Sequence, residues 1–247
     1  MNLIIDIGNT LVKLAIFDKN EIVLQHSMEH RDTAMLDVLL NRYPTLDKAI
    51  ICSTRGDCEE LIGKIRSRMA CCLEFTSHVA VPISNAYLTP ATLGRDRLAA
   101  AVGASVLHPS RNVLVVDFGT ALTIDLVTAD GTFRGGVISP GMNTRFRALH
   151  HYTAQLPLCE ATEEILPLGN TTATAIEQGV MNGIAFEIEG YIDRMSNEFA
   201  NLCIIFTGGD AKYFVKRIKN TIFANYNLVL YGLNRILEYN TSEENPT

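Results

Sequence analysis

A chain of 247 residues, 47% hydrophobic and 19% charged, has the composition of a folded protein and room for one large domain or two of ordinary size. A net charge of −6 without a Lys/Arg-rich stretch disfavours nucleic acid or an anionic membrane as partner. The start Met1-Asn2-Leu3 lacks a signal peptide's basic region, no apolar run nears the ~20 residues of a membrane span, and six cysteines form no C-x-x-C pair, so a cytoplasmic protein with free thiols is expected.

Leu3, Ile4 and Ile5 read as a buried strand that ends in Asp6-Ile7-Gly8-Asn9-Thr10, before a second run from Leu11 to Phe17. A glycine in such a turn lets a phosphate approach the backbone. The turn N–H groups and the Thr10 hydroxyl can donate to phosphate oxygens. Asp6 would act on phosphate through a hydrated Mg²⁺, because direct contact is repulsive. A plain hairpin would use the same Asn and Gly in its turn.

Residues 2–28 then read as a three-stranded meander, broken at Gly8-Asn9 and at Asp18-Lys19-Asn20. A helix through Ala34, Leu36 and Leu40, a strand over Lys48–Ser53, and a helix carrying Leu61, Ile62 and Ile65 complete a βββαβα order. Residues 79–93 hold two prolines and little periodicity, as binding loops do. Gly94-Arg95-Asp96-Arg97 leads into the alanine-rich run Leu98–Val102, which is helical by propensity and sets Asp96 near a helix N-terminus. Asp96 as a simple cap, with its arginines as surface charge, is the competing reading.

A second copy of the opening motif appears about 111 residues on. The run Val113–Val116 is followed by Asp117-Phe118-Gly119-Thr120-Ala121 and a further run to Val127. Self-similarity at that distance suggests a duplicated domain, since solenoid periods are roughly 20–50 residues. The division expected is 1–110 and 111–247. Ala129-Asp130-Gly131-Thr132 marks a turn before a strand to Ser139, and Ser139-Pro140-Gly141 precedes a helix over Arg145–Leu149. His150 and His151 are neighbours and make no metal motif. Thr171-Thr172 precedes a long helix, Ala173–Phe199, with Thr172 a possible N-cap. Leu202–Phe206 reads as a buried strand ending at Thr207-Gly208-Gly209, a glycine pair that suits a backbone lying against a flat purine. Asn227–Leu230 is expected as a last strand and Tyr231–Tyr239 as a last helix.

Together these motifs resemble the type III pantothenate kinases over nearly the whole chain, the G-x-D-R and D-x-G-T-A-x-T elements at this spacing being specific as a pair. The resemblance implies an α/β fold of duplicated ribonuclease H-like (actin-like ATPase) domains, mixed sheets flanked by helices with a nucleotide cleft between them. It implies a homodimer that phosphorylates pantothenate with ATP and Mg²⁺, activated by a monovalent cation, K⁺ or NH₄⁺. It places Asp6, Ile7, Gly8, Asn9, Thr10, Leu11, Val12, Lys13 and Thr120 on ATP. Tyr87, Gly94, Arg95, Asp96, Arg97 and Thr172 fall on pantothenate, Asp96 as proton acceptor, and Asp117 on the monovalent cation. Arg95 stands where many relatives carry a small residue, so it either crowds the pocket or points away. A related small-molecule kinase, or a nucleotide-binding regulator of the same superfamily, is the alternative. ATP turnover indifferent to pantothenate would mark the regulator.

Overall fold

The computed structural model describes residues 1–8, 11–29, 34–54 and 59–242. It divides into two compact units, Met1–Leu107 with Leu228–Thr247, and His108–Asn227.

The first unit opens with β1 (Asn2–Ile7), β2 (Val12–Asp18) and β3 (Glu21–Met28), then α1 (Ala34–Arg42), β4 (Lys48–Ser53), α2 (Glu59–Arg66), β5 (Cys71–Glu74), the two-residue β6 (Ser84–Asn85) and α3 (Arg95–Leu107). Its five-stranded sheet runs β3-β2-β1-β4-β5, with β1 antiparallel to β2 and parallel to β4. Central β1 is apolar on both faces because both are covered, whereas edge strand β3 alternates exposed and part-buried residues. Leu3, Ile5, Leu14, Ile16, Leu36, Leu40, Leu61 and Ile65 share one core.

The second unit repeats the plan with β7 (Val113–Phe118), β8 (Ala121–Val127), β9 (Thr132–Pro140), α4 (Met142–Tyr152), α5 (Thr172–Glu198), β10 (Cys203–Thr207) and β11 (Phe223–Ala224). The strand order within it, β9-β8-β7-β10-β11, is that of the first sheet, with β7 again antiparallel to the next strand and parallel to β10. Its core gathers Phe118, Phe146, Met181, Ile188, Phe206 and Phe214.

The last helix among the described residues is α6 (Leu228–Thr241). Two expectations are corrected there. Leu228–Leu230 is helical, not a strand: Leu230, Leu233 and Leu237 recur at helical spacing and all are buried. The helix packs in the first unit, so a single cut at 110/111 misplaces it. The physical reason is close helix contact between α3 and α6. A Cβ on Gly103 would collide with the Leu228 carbonyl, and one on Gly232 with the Ala99 carbonyl. Asn234 fastens the helix further, accepting from Asn2 Nδ2 at 2.8 Å and donating to the Lys19 carbonyl at 2.9 Å. Among the described residues, no helix is long and apolar enough to cross a membrane.

Candidate active site

The first unit gathers a charged cluster at the carboxyl end of β1. Asp6 stands in register with Lys13 on β2 and with Cys52 on β4. Ile7 and Val12 are core residues that close the β1–β2 ladder, and Leu11 is exposed. Gly8 N–H donates to the Leu11 carbonyl at 3.1 Å. Asn9 and Thr10 lie outside the described residues. Among the described residues, a Cβ on Gly8 would meet the Leu11 carbonyl, at an ordinary 3.5 Å. The described residues therefore do not themselves require glycine here. Burial lifts the Asp6 carboxyl to about 6 from an ordinary 3.8; Lys13 opposes the rise and Asp96 adds to it. Asp6 and Asp96, distant in sequence, thus lie within each other's field.

Asp96 sits in the first turn of α3, where the helix dipole favours a carboxylate. Its Oδ1 accepts the Arg97 N–H at 2.9 Å, which fixes the side chain. A Cβ on Gly94 would come within 2.6 Å of that oxygen, so the carboxylate's seat exists only over a glycine. Arg97 is buried, and its guanidinium carbon lies 5.7 Å from the centre of the Tyr87 ring. The Tyr87 N–H is held in turn by Asn85 Oδ1 at 3.0 Å. Tyr87, Gly94, Asp96 and Arg97 form one neighbourhood, as the G-x-D-R motif implies. Arg95 is bonded elsewhere. Its Nε donates to the Leu93 carbonyl at 3.0 Å, its Nη2 reaches the Pro90 and Leu93 carbonyls, and its guanidinium lies 6.0 Å from the Phe75 ring centre. This side chain braces the 3-10 turn Pro90–Thr92 and points its planar fork at backbone.

In the second unit Asp117 holds the place that Asp6 holds in the first. Its partners in register are Thr123 on β8 and Thr207 on β10. Gly208, with φ +89°, lies so close that a Cβ there would collide with Asp117 Oδ1. Thr120 is exposed in the two-residue turn between β7 and β8. Oxygen donors of this kind, a carboxylate flanked by threonines, suit a hard cation such as K⁺. Among the described residues no group of three or more His, Cys, Asp or Glu could hold a metal ion, so a cation there would draw on hydroxyl, carbonyl or phosphate oxygens. The register at the start of α5 resolves: Thr171 is the N-cap, in a reciprocal capping box with Thr174, and Thr172 begins the helix with an exposed side chain.

Sequence reasoning missed Cys52, which is fully buried one strand from Asp6; burial, Asp6 and Asp96 raise its thiol well above the usual range against the pull of Arg95. The signal that finds it is register, since Cys52 is to Asp6 what Thr207 is to Asp117. Gly208-Gly209 leads into a 3-10 turn, Ala211–Tyr213. His150 is structural, its Nδ1 2.8 Å from the Leu156 carbonyl.

The profile of the type III pantothenate kinase family matches residues 2–194. A type III pantothenate kinase from Phocaeicola vulgatus is 45% identical over 240 residues, covering 97% of this chain and 99% of the relative. Among solved structures, a proposed Baf family transcriptional activator from Campylobacter jejuni superposes with TM-score 0.64 at 21% identity, over 96% of this chain and 98% of the other. A proposed 2-dehydro-3-deoxygalactonokinase from Sinorhizobium meliloti gives 0.61 at 15% identity, over 97% and 99%. These two likenesses speak for the fold alone, a duplicated ribonuclease H-like α/β architecture.

Proposed function

The chain belongs to the type III pantothenate kinase family, and from that premise we propose that Asp96 is its catalytic carboxylate, with Asp6 and Lys13 at the phosphates of ATP. The reaction is the ATP-dependent phosphorylation of pantothenate to 4'-phosphopantothenate, the first step of coenzyme A biosynthesis. The single observation that carries the residue assignment is the meeting of Asp6 and Asp96 in one electrostatic neighbourhood.

Phosphoryl transfer demands alignment and charge stabilisation more than covalent chemistry. The acceptor hydroxyl has too high a pKa to be ionised in advance. Asp96 therefore orients it and takes its proton as the oxygen–phosphorus bond forms and ADP leaves. The Arg97 N–H on Oδ1 holds the carboxylate in one rotamer for that task. Arg97 itself, over Tyr87, recognises the pantothenate carboxylate through its planar fork. Thr172 supplies a hydroxyl to the substrate, since its neighbour Thr171 is spent on the cap. Lys13 is the phosphate donor of the first unit, and Thr120 is the ATP contact of the second. Asp6 is the residue to hold Mg²⁺ through water, and that ion would neutralise phosphate charge. Asp117 is the residue to hold K⁺ or NH₄⁺, which would add positive charge against the phosphates. Arg95 supports the 90–93 turn rather than touching substrate. The protein works in the cytoplasm as a homodimer, independent of nucleic acid and membrane.

A coupled ADP-release assay with and without pantothenate tests the reading. ADP release should depend on pantothenate; turnover indifferent to it would overturn the assignment.

A further inference from the structure

The end of β9 and the start of α4 form a seat beneath the Gly119–Thr120 turn. The Thr120 carbonyl accepts two hydrogen bonds there, from the Gly141 N–H at 3.1 Å and from the Thr144 hydroxyl at 2.8 Å. A Cβ on Gly141 would collide with the Gly119 carbonyl and reach 2.7 Å from the Thr120 oxygen, so the approach is as close as glycine permits. The seat is itself held by a ring of polar contacts. Arg145 Nε donates to the Pro140 carbonyl at 2.7 Å, and its Nη2 donates to Ser139 Oγ at 3.2 Å and to Glu187 Oε2. Ser139 Oγ donates to Glu187 Oε1 at 2.7 Å and closes the ring. The ring joins the last residues of β9, the first turn of α4 and the middle of α5.

Arg145 and Glu187 are 23% and 24% exposed, so both are largely withdrawn from water. A pair so placed is weak evidence of stabilisation, because desolvation offsets much of the attraction and well-packed apolar side chains would serve as well. What the ring supplies and apolar contact does not is direction. With Nη2 anchored on Ser139 and Glu187, Nε of the same planar guanidinium holds the Pro140 carbonyl, and with it the aim of the next N–H, on Gly141, at Thr120. We infer that Arg145 and Glu187 are positioning residues for the nucleotide, acting through Pro140 and Gly141 to set the Gly119–Thr120 turn. The inference rests on the reading of Thr120 as an ATP contact.

Steady-state kinetics on the full chain, varying Mg-ATP and pantothenate separately, test it. Glu187→Gln keeps shape and loses charge; it should raise the KM for ATP about five-fold and leave the KM for pantothenate unchanged. Arg145→Lys should do the same, because an ammonium cannot reproduce the fork. Thr144→Val removes one bond to the Thr120 carbonyl without touching the ion pair, and should give the same selective rise should either charge variant fail to fold. Thr120→Ala is the control. If it raises the KM for ATP while Glu187→Gln and Thr144→Val do not, the positioning role is overturned and the nucleotide reading stands. If Thr120→Ala leaves the KM for ATP unchanged, the nucleotide reading falls and takes the inference with it. A rise in both KM values together, tracking a lower melting temperature, means a merely structural ring and also overturns the inference.

Discussion

The β1–β2 and β7–β8 hairpins share one plan and differ in what surrounds the carboxylate. Asp6 faces Lys13 and Cys52, whereas Asp117 faces Thr123 and Thr207. The connection runs from Ile7 to Val12 in the first and from Phe118 to Ala121 in the second, so the first has two more turn residues. In both, the glycine two places after the aspartate donates back across the turn, Gly8 to Leu11 and Gly119 to Ala121. The geometry is shared and the chemistry around it is not. The first unit places a lysine and a second carboxylate, Asp96, within the field of its aspartate. The second surrounds its aspartate with hydroxyls and a close-packed Gly208. That difference is why we propose phosphate and proton handling for the first and an oxygen-coordinated ion for the second.

Substitutions that act on one side alone sharpen that contrast. Asp96→Asn keeps the N-terminal oxygen but cannot take a proton, and should lower kcat by about 10²–10⁴ with an unchanged circular dichroism spectrum. Turnover near wild type in that variant would remove Asp96 as base. Gly94→Ala comes next. The new methyl would meet a side-chain oxygen rather than backbone, so the fold should survive while the Asp96 carboxylate is pushed aside. A loss of kcat of about 10²-fold is expected, in line with the cost of misplacing a reacting group by about 1 Å. Asp117→Ala should leave Asp96 chemistry intact and abolish activation by K⁺, lowering turnover at saturating K⁺ by about ten-fold. A potassium titration that matches wild type would break the proposed division between the hairpins.

Much of this was legible in the residues. The two Asp-x-Gly turns, the meanders and α5 lie where apolar periodicity and turn chemistry put them, because local pattern sets strands and caps. The G-x-D-R stretch was legible as a helix start for the same reason. The partners of that stretch were not. Cys52 reaches Asp6 only through strand register, and the proximity of Asp6 to Asp96 arises from packing of α3 that no short-range pattern encodes. The same holds for α6: the run at Leu228 suits strand or helix, and only the glycine-mediated contact with α3 decides between them and carries the helix back to the first unit. Arg95 was open between two directions, and its fork turns to carbonyls two and five residues back in the chain.

The smallest effect expected concerns stability and probes the environment that distinguishes Asp6. Its carboxyl titrates at about 6 in the folded chain and at 3.8 when exposed. Between those values the folded state binds more protons than the unfolded, so stability falls as pH rises through that window. The contribution is fully present below about 3.8 and lost above about 6. Asp6→Asn carries no such charge. In the ligand-free protein it should therefore melt higher than wild type at pH 8, by a few degrees for about 1–2 kcal/mol, since Asp6 is only part-buried. Near pH 4 the two should converge. The same variant should lose turnover, because Asn cannot hold a hydrated Mg²⁺ as a carboxylate does. A gain in stability coupled to a loss of function at one residue is the mark of strain kept for a ligand. A melting difference that stays constant from pH 4 to pH 8 would show that Asp6 carries no such strain.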